Sequence, residues 1–201
     1  MSTTIIEVGE APVELTLRQK WSHYFVIIYA ILAIIIGVNL RDSAVFATVP
    51  YSNPQVGITA FYPHRWMIDS SGDYVFRVRD MAQTGFKTAM QVNIIPVNSD
   101  MTTRNILETL ILNRSQTDST FRVLSQEPIQ LADNTEATRM TSTFVASNED
   151  PFLESIPTVV ERMDVIAVQG GQAIIISFLS DALTFEQNYP KFEQFLNDVD
   201  F

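Results

Sequence analysis

From Trp21 to Leu40 the chain reads WSHYFVIIYAILAIIIGVNL, a run without Asp, Glu, Lys or Arg. As a helix rising about 1.5 Å per residue it reaches roughly 30 Å, the thickness of a bilayer's hydrocarbon core. It is apolar on every face, whereas a helix packed on a soluble core keeps one polar face. The sequence therefore predicts one transmembrane helix over 21–41. Trp21, Tyr24 and Phe25 stand at its N-terminal end, where amphipathic rings favour the headgroup layer. Arg18 and Lys20 precede the span and Arg41 follows it, a bias that favours a cytoplasmic N-terminus. The expectation is a single-pass protein of the cell membrane, with its C-terminal domain on the periplasmic or external side.

A cleaved signal peptide is the rival, with Val45-Phe46-Ala47 as a small-residue cleavage site. The apolar run exceeds the usual core of such peptides, and Glu7, Glu10 and Glu14 precede it, so a retained anchor is expected. Within the span Ala30, Ala33 and Gly37 share one face. Small residues there let a second helix approach closely, which makes them the expected contact with a partner helix.

Residues 1–41 hold three cations (Arg18, Lys20, Arg41) and three anions (Glu7, Glu10, Glu14), so the formal charge of −10 belongs to 42–201. Such a surface repels nucleic acid, which is excluded as a partner. The chain contains no cysteine. Disulfides, thiolate nucleophiles and thiolate metal sites are therefore excluded.

The expected organisation is an N-terminal tail over 1–20, the span over 21–41, a linker with Pro50 and Pro54 over 42–56, and one domain over 57–201. In the domain, Gly57 to Tyr62 and Trp66 to Asp69 read as short strands. In Tyr74 to Arg79, Phe76 and Val78 alternate with Arg77 and Arg79, as in a half-buried strand. Thr88 to Pro96 is the next strand. Thr102 to Arg114 reads as a helix with the apolar stripe Ile106, Leu107, Leu110 and Ile111. Strands follow at 121–129, 135–145, 159–168 and 172–179. Gly170-Gly171 joins the last two in a tight hairpin, and Ile174-Ile175-Ile176 suggests a central strand covered on both faces. Thr184 and Gln187 fit a capping box opening a final helix with Phe185, Tyr189, Phe192, Leu196 and Val199 at helical spacing and Pro190 inside it. This order predicts an α+β fold: an antiparallel sheet flanked by helices, preceded by one transmembrane helix.

Gly57-Ile58, Tyr62-Pro63 and Trp66 resemble the opening strand and turn of the PsbP-like family. The helix after Asn98-Ser99-Asp100, the hairpin at Gly170-Gly171 and the aromatic final helix with Phe192, Phe195 and Phe201 extend the resemblance over roughly residues 50–201. It implies a sheet sandwiched by helices. It also implies the family's usual role: non-catalytic extrinsic subunits, assembly factors or stabilisers of membrane-embedded photosynthetic and electron-transfer complexes.

Chemical motifs are sparse. His23 lies in the span and His64 in a turn, and no nucleophile elbow, zinc-protease helix or phosphate-binding glycine loop is present. Asp69 and Asp73, and Glu149, Asp150 and Glu154, are carboxylate-bearing turns without the ordered ligand spacing of a calcium loop. No catalytic residue, metal set or cofactor is expected. Phe152, Leu153 and Ile156, apolar residues in a polar, proline-bounded loop, are candidate protein contacts. The expected function is a non-catalytic accessory subunit bound in the bilayer to integral membrane and extrinsic subunits. The alternative is a stand-alone anchored domain that binds or senses a cation or small ligand.

Overall fold

The computed structural model describes residues 16–98, 101–132, 134–147 and 157–201. The chain divides into two units, Met1–Ala47 and Thr48–Phe201.

The first unit is the helix α1, Leu17–Val45. It starts four residues before the expected span because Thr16 and Gln19 form a capping box. The Thr16 hydroxyl accepts from the Gln19 N–H, and the Gln19 side chain accepts from the Thr16 N–H. Arg18 and Lys20 are therefore helical residues and not part of a tail. Its 29 residues reach about 44 Å, and its length and hydropathy suffice to cross a membrane. None of its residues is buried. Trp21 makes ring contacts with Tyr24 and Phe25, at centroid separations of 6.4 and 6.1 Å.

The second unit is a mixed α+β domain with antiparallel sheets. Its elements are β1 (Thr48–Asn53), β2 (Ile58–Pro63), β3 (Met67–Asp69), β4 (Phe76–Arg79), β5 (Ala89–Pro96), α2 (Thr103–Thr117), β6 (Ser119–Gln130), β7 (Glu136–Ala146), β8 (Thr158–Gln169), β9 (Gln172–Asp181) and α3 (Phe185–Asp198). Seven strands form one sheet in the order β3-β4-β5-β9-β8-β7-β6, and β1 and β2 form a separate ribbon. The expected linker over 42–56 is corrected here, because Thr48–Asn53 is a strand paired antiparallel with β2. Pro50 suggested a linker, but β1 pairs on one side only, where a residue lacking its N–H is tolerated.

β9 and β8 lie at the centre, and their alternation builds a core on each face. Ile174, Ile176 and Phe178 of β9 pack with Val165 and Ala167 of β8 under α3. Phe178 stacks between Phe185 and Phe192 of that helix, with centroids 5.1 and 5.0 Å away. On the opposite face Ile175, Ala173, Ile166 and Met140 pack against Ile106 and Leu107 of α2. The isoleucine triplet is thus covered on both sides, as its composition predicted. Gly170 and Gly171 take φ of +58° and +77° in the two-residue β8–β9 turn, the left-handed geometry that such a hairpin demands.

The capping box expected at α3 does not form. Thr184 is the N-cap residue, but its φ and ψ of −117° and 5° are not those of a side-chain cap. Its hydroxyl instead accepts from Gln83 and lies near Ser180. These groups belong to a polar cluster between β5, β9 and α3. Buried Asn188 donates to Thr88, Ser180 and the Thr184 carbonyl, and so fixes the helix on the sheet.

Candidate functional site

The strand register that fills the α3 core sends the intervening residues to the other face. There α2 covers only part of the sheet. Opposite one another across four strands stand Arg77 of β4, Gln91 of β5, Ser177 of β9 and Asp164 of β8. The next row is Arg79, Ala89, Leu179, Arg162 and Ser142. The last turn of α2 adds Arg114, and Asp118 caps that helix. A depression of about 280 Å³ here is lined by Arg77, Gln91, Arg114, Thr117, Asp118, Arg162, Ser177 and Leu179.

Asp164 is fully buried, bonded to the lining residues Arg114 and Ser177. Arg114 grips it with both terminal nitrogens, one at 2.8 Å, and Ser177 donates to it at 2.6 Å. A carboxylate at this depth is tolerated only because its oxygens are so occupied. Arg162 donates to Asp118 at 2.6 Å and lies over the Phe144 ring, 4.3 Å from its centroid. Burial lowers the pKa of Arg162, and the neighbouring Arg114 charge lowers it further, while Asp164 and Asp118 pull it back up. Beside Arg162 the Ser142 hydroxyl is buried without a hydrogen-bond partner among the described residues. Arg77 is fixed differently. Its Nε donates to Gln91 at 2.9 Å and its guanidinium lies 4.4 Å from the Tyr74 ring centroid. Gln91 in turn donates to Asn93, which donates to the Asp73 carbonyl.

A second polar group borders this one. Asp69 accepts from the Ser71 hydroxyl at 2.6 Å, from Tyr74 at 2.6 Å and from Arg79 at 3.5 Å. The Ser71 bond, then the Tyr74 bond, hold the carboxyl well below the usual carboxylate range. The same bond raises the Tyr74 phenol above its ordinary value. The Asp69 carboxylate oxygens of the 69–73 turn are thus engaged with protein donors. Among the described residues no group of three or more His, Asp or Glu side chains is placed to hold a metal ion.

A larger hollow of about 640 Å³ lies between the start of α2 and the β6–β7 hairpin. Of its polar groups, Thr102 is bonded to Asn105 as the α2 cap and Arg104 to Glu108. His64 is exposed in the turn after Pro63. Ala30, Ala33 and Gly37 lie on α1 and are exposed. Phe152, Leu153 and Ile156, with Glu149, Asp150 and Glu154, lie outside the described residues.

The depression was absent from the expectations drawn from sequence. Its signal was present in β8, where Arg162 and Asp164 alternate with Met163 and Val165 in the interior of the strand. Charges at every second position of a central strand need partners from another element. Which element supplies them is a tertiary fact.

The domain defined by these features, an antiparallel sheet with a helix on each face, has counterparts among solved structures. Cyanobacterial PsbP (CyanoP) from Synechocystis sp. PCC 6803 matches with a TM-score of 0.57 at 13% identity, over 77% of this chain and 92% of that one. The Saccharomyces cerevisiae Ran-binding protein Mog1p matches with a TM-score of 0.50 at 11% identity, over 77% of this chain and 95% of that one. PA94 from Pseudomonas aeruginosa matches with a TM-score of 0.50 at 9% identity, over 75% of this chain and 94% of that one. The fold is PsbP/Mog1-like. No protein-family model matches the sequence, and no curated protein matches it.

Proposed function

We propose that this chain is a membrane-anchored accessory subunit of a larger membrane complex, one that carries photosynthetic or respiratory electron transport. In this reading the domain belongs to the PsbP-like branch of its fold and is non-catalytic. It acts by binding and positioning neighbouring subunits. The observation that carries the reading is the fusion of an apolar 29-residue helix to a domain with the fold of cyanobacterial PsbP. Mog1p, a Ran-binding protein, lends support for a protein partner. The helix docks in the bilayer through Ala30, Ala33 and Gly37, where small side chains allow close packing against another span. The excess of Lys and Arg before the span favours a cytoplasmic N-terminus and an external domain.

The test is purification of the tagged full-length chain from its own membranes in mild detergent, with quantitative mass spectrometry. A fixed set of integral subunits at constant stoichiometry is expected. Recovery of the chain with no subunit at constant ratio overturns the proposal.

A further inference from the structure

The guanidinium depression is a local inversion of charge. The chain carries −10 overall, yet Arg77, Arg114 and Arg162 line the depression with one carboxylate, Asp118, and a second, Asp164, lies buried behind them. Both carboxylates are already engaged: Asp164 is fully buried and held by Arg114 and Ser177, and Asp118 is bonded to Arg162. These pairs fix the arginines in place. Arg77 is immobilised through its Nε and its ring contact, while its two terminal nitrogens make no hydrogen bond to the described residues. A preorganised guanidinium edge with unused donors matches the planar oxygen pair of a carboxylate.

We infer that this depression receives a carboxylate side chain from an acidic segment of a partner protein, with Arg77 as the direct contact and Arg114 and Arg162 supplying the flanking field. The acidic remainder of the domain repels such a segment, so attraction at one point sets its orientation as well as its affinity. A polyanion such as nucleic acid meets the same repulsion over a far larger area and is disfavoured. Burial and the Arg114 charge both press on the Arg162 cation, and an incoming carboxylate relieves that pressure.

This deepens the accessory-subunit reading and rests on it for the partner being a protein. The test uses the full-length chain in nonionic detergent with fluorescently labelled hexaglutamate and hexaglutamine peptides, read by anisotropy. Hexaglutamate is expected to bind and hexaglutamine not to bind. Arg77→Gln weakens hexaglutamate by about tenfold or more, through loss of the charge-assisted fork. Arg77→Lys, which keeps the charge but loses the fork, falls between. Arg104→Gln, a change at an exposed arginine of α2 outside the depression, leaves affinity unchanged. Equal affinity of the Arg77→Gln and Arg104→Gln proteins, or no binding of hexaglutamate to the parent, overturns the site. Inorganic phosphate that competes as well as the peptide, mole for mole, also overturns it, since the depression then takes any small anion. Native electrophoresis of the parent and Arg77→Gln proteins keeps the two questions apart. A parent that stays in its complex while the peptide fails to bind refutes the site alone.

Discussion

Replacing Arg114 by methionine removes one half of a buried ion pair and leaves the other half in place. Asp164 has no exposed surface, and after the change the Ser177 hydroxyl is its remaining side-chain hydrogen-bond donor among the described residues, with the Arg162 charge nearby. Breaking a buried pair from one side costs about 3–5 kcal/mol, because the remaining charge stays desolvated without its hydrogen-bonded partner; the nearby Arg162 charge places the cost toward the lower end. For a domain of this size each kcal/mol lowers the thermal midpoint by about 2–4 °C, so a fall on the order of 10 °C is expected. Removing both charges, Arg114→Met with Asp164→Leu, is expected to recover most of that loss. The desolvation cost disappears with the carboxylate, and what remains is the unpartnered Ser177 hydroxyl, worth about 1–3 kcal/mol. The readout is urea unfolding of the full chain in detergent. A Trp21→Phe background leaves Trp66, buried in the α3-side core, as the single indole reporter. A single variant within about 1 kcal/mol of the parent, or a double variant no more stable than the single, refutes the reasoning that burial makes this pair one-sidedly fragile.

Burial, with the Glu186 charge adding to it, raises the Glu161 pKa. The folded state therefore holds its proton more tightly than the unfolded chain, and stability is lost as pH rises from the unfolded value of about 4.3 through the folded one. Glu161→Gln should raise the thermal midpoint at neutral pH and leave it unchanged near pH 4, as scanning across that range will show. Asp69 contributes stability that is present above its unfolded pKa of about 3.9 and lost only well below it. In Asp69→Ala the Tyr74 phenol, no longer donating to a carboxylate, should titrate closer to about 10 than in the parent, as ring-carbon NMR resolves. Gly171→Ala places a Cβ at φ +77° with no steric neighbour closer than 3.9 Å, so its cost is the left-handed backbone alone, about 1–2 kcal/mol by urea unfolding.

The elements that local pattern dictates were legible in the sequence. Ile174-Ile175-Ile176 read as a doubly covered strand, and α2 and α3 read from their apolar stripes. The alternation in β4 separated Phe76 and Val78 from Arg77 and Arg79. What failed was local chemistry without its tertiary context. Pro50 pointed to a linker because nothing local reveals that β1 has one pairing side only. Thr184 and Gln187 had the spacing of a capping box, yet the threonine hydroxyl is drawn into the polar cluster with Gln83 and Ser180. The candidate site was hidden for the same reason. Arg77, Arg114 and Arg162 are far apart in sequence, and only the strand register and the last turn of α2 bring them to one depression.

The accessory-subunit proposal meets its most direct test in gentle extraction of native membranes followed by native electrophoresis, comparing the parent with Ala33→Leu/Gly37→Leu. The parent is expected in a band far larger than its 22.7 kDa chain in a micelle, and the double variant is expected to leave that band as a folded free protein. A parent that migrates alone under every mild extraction contradicts the proposal.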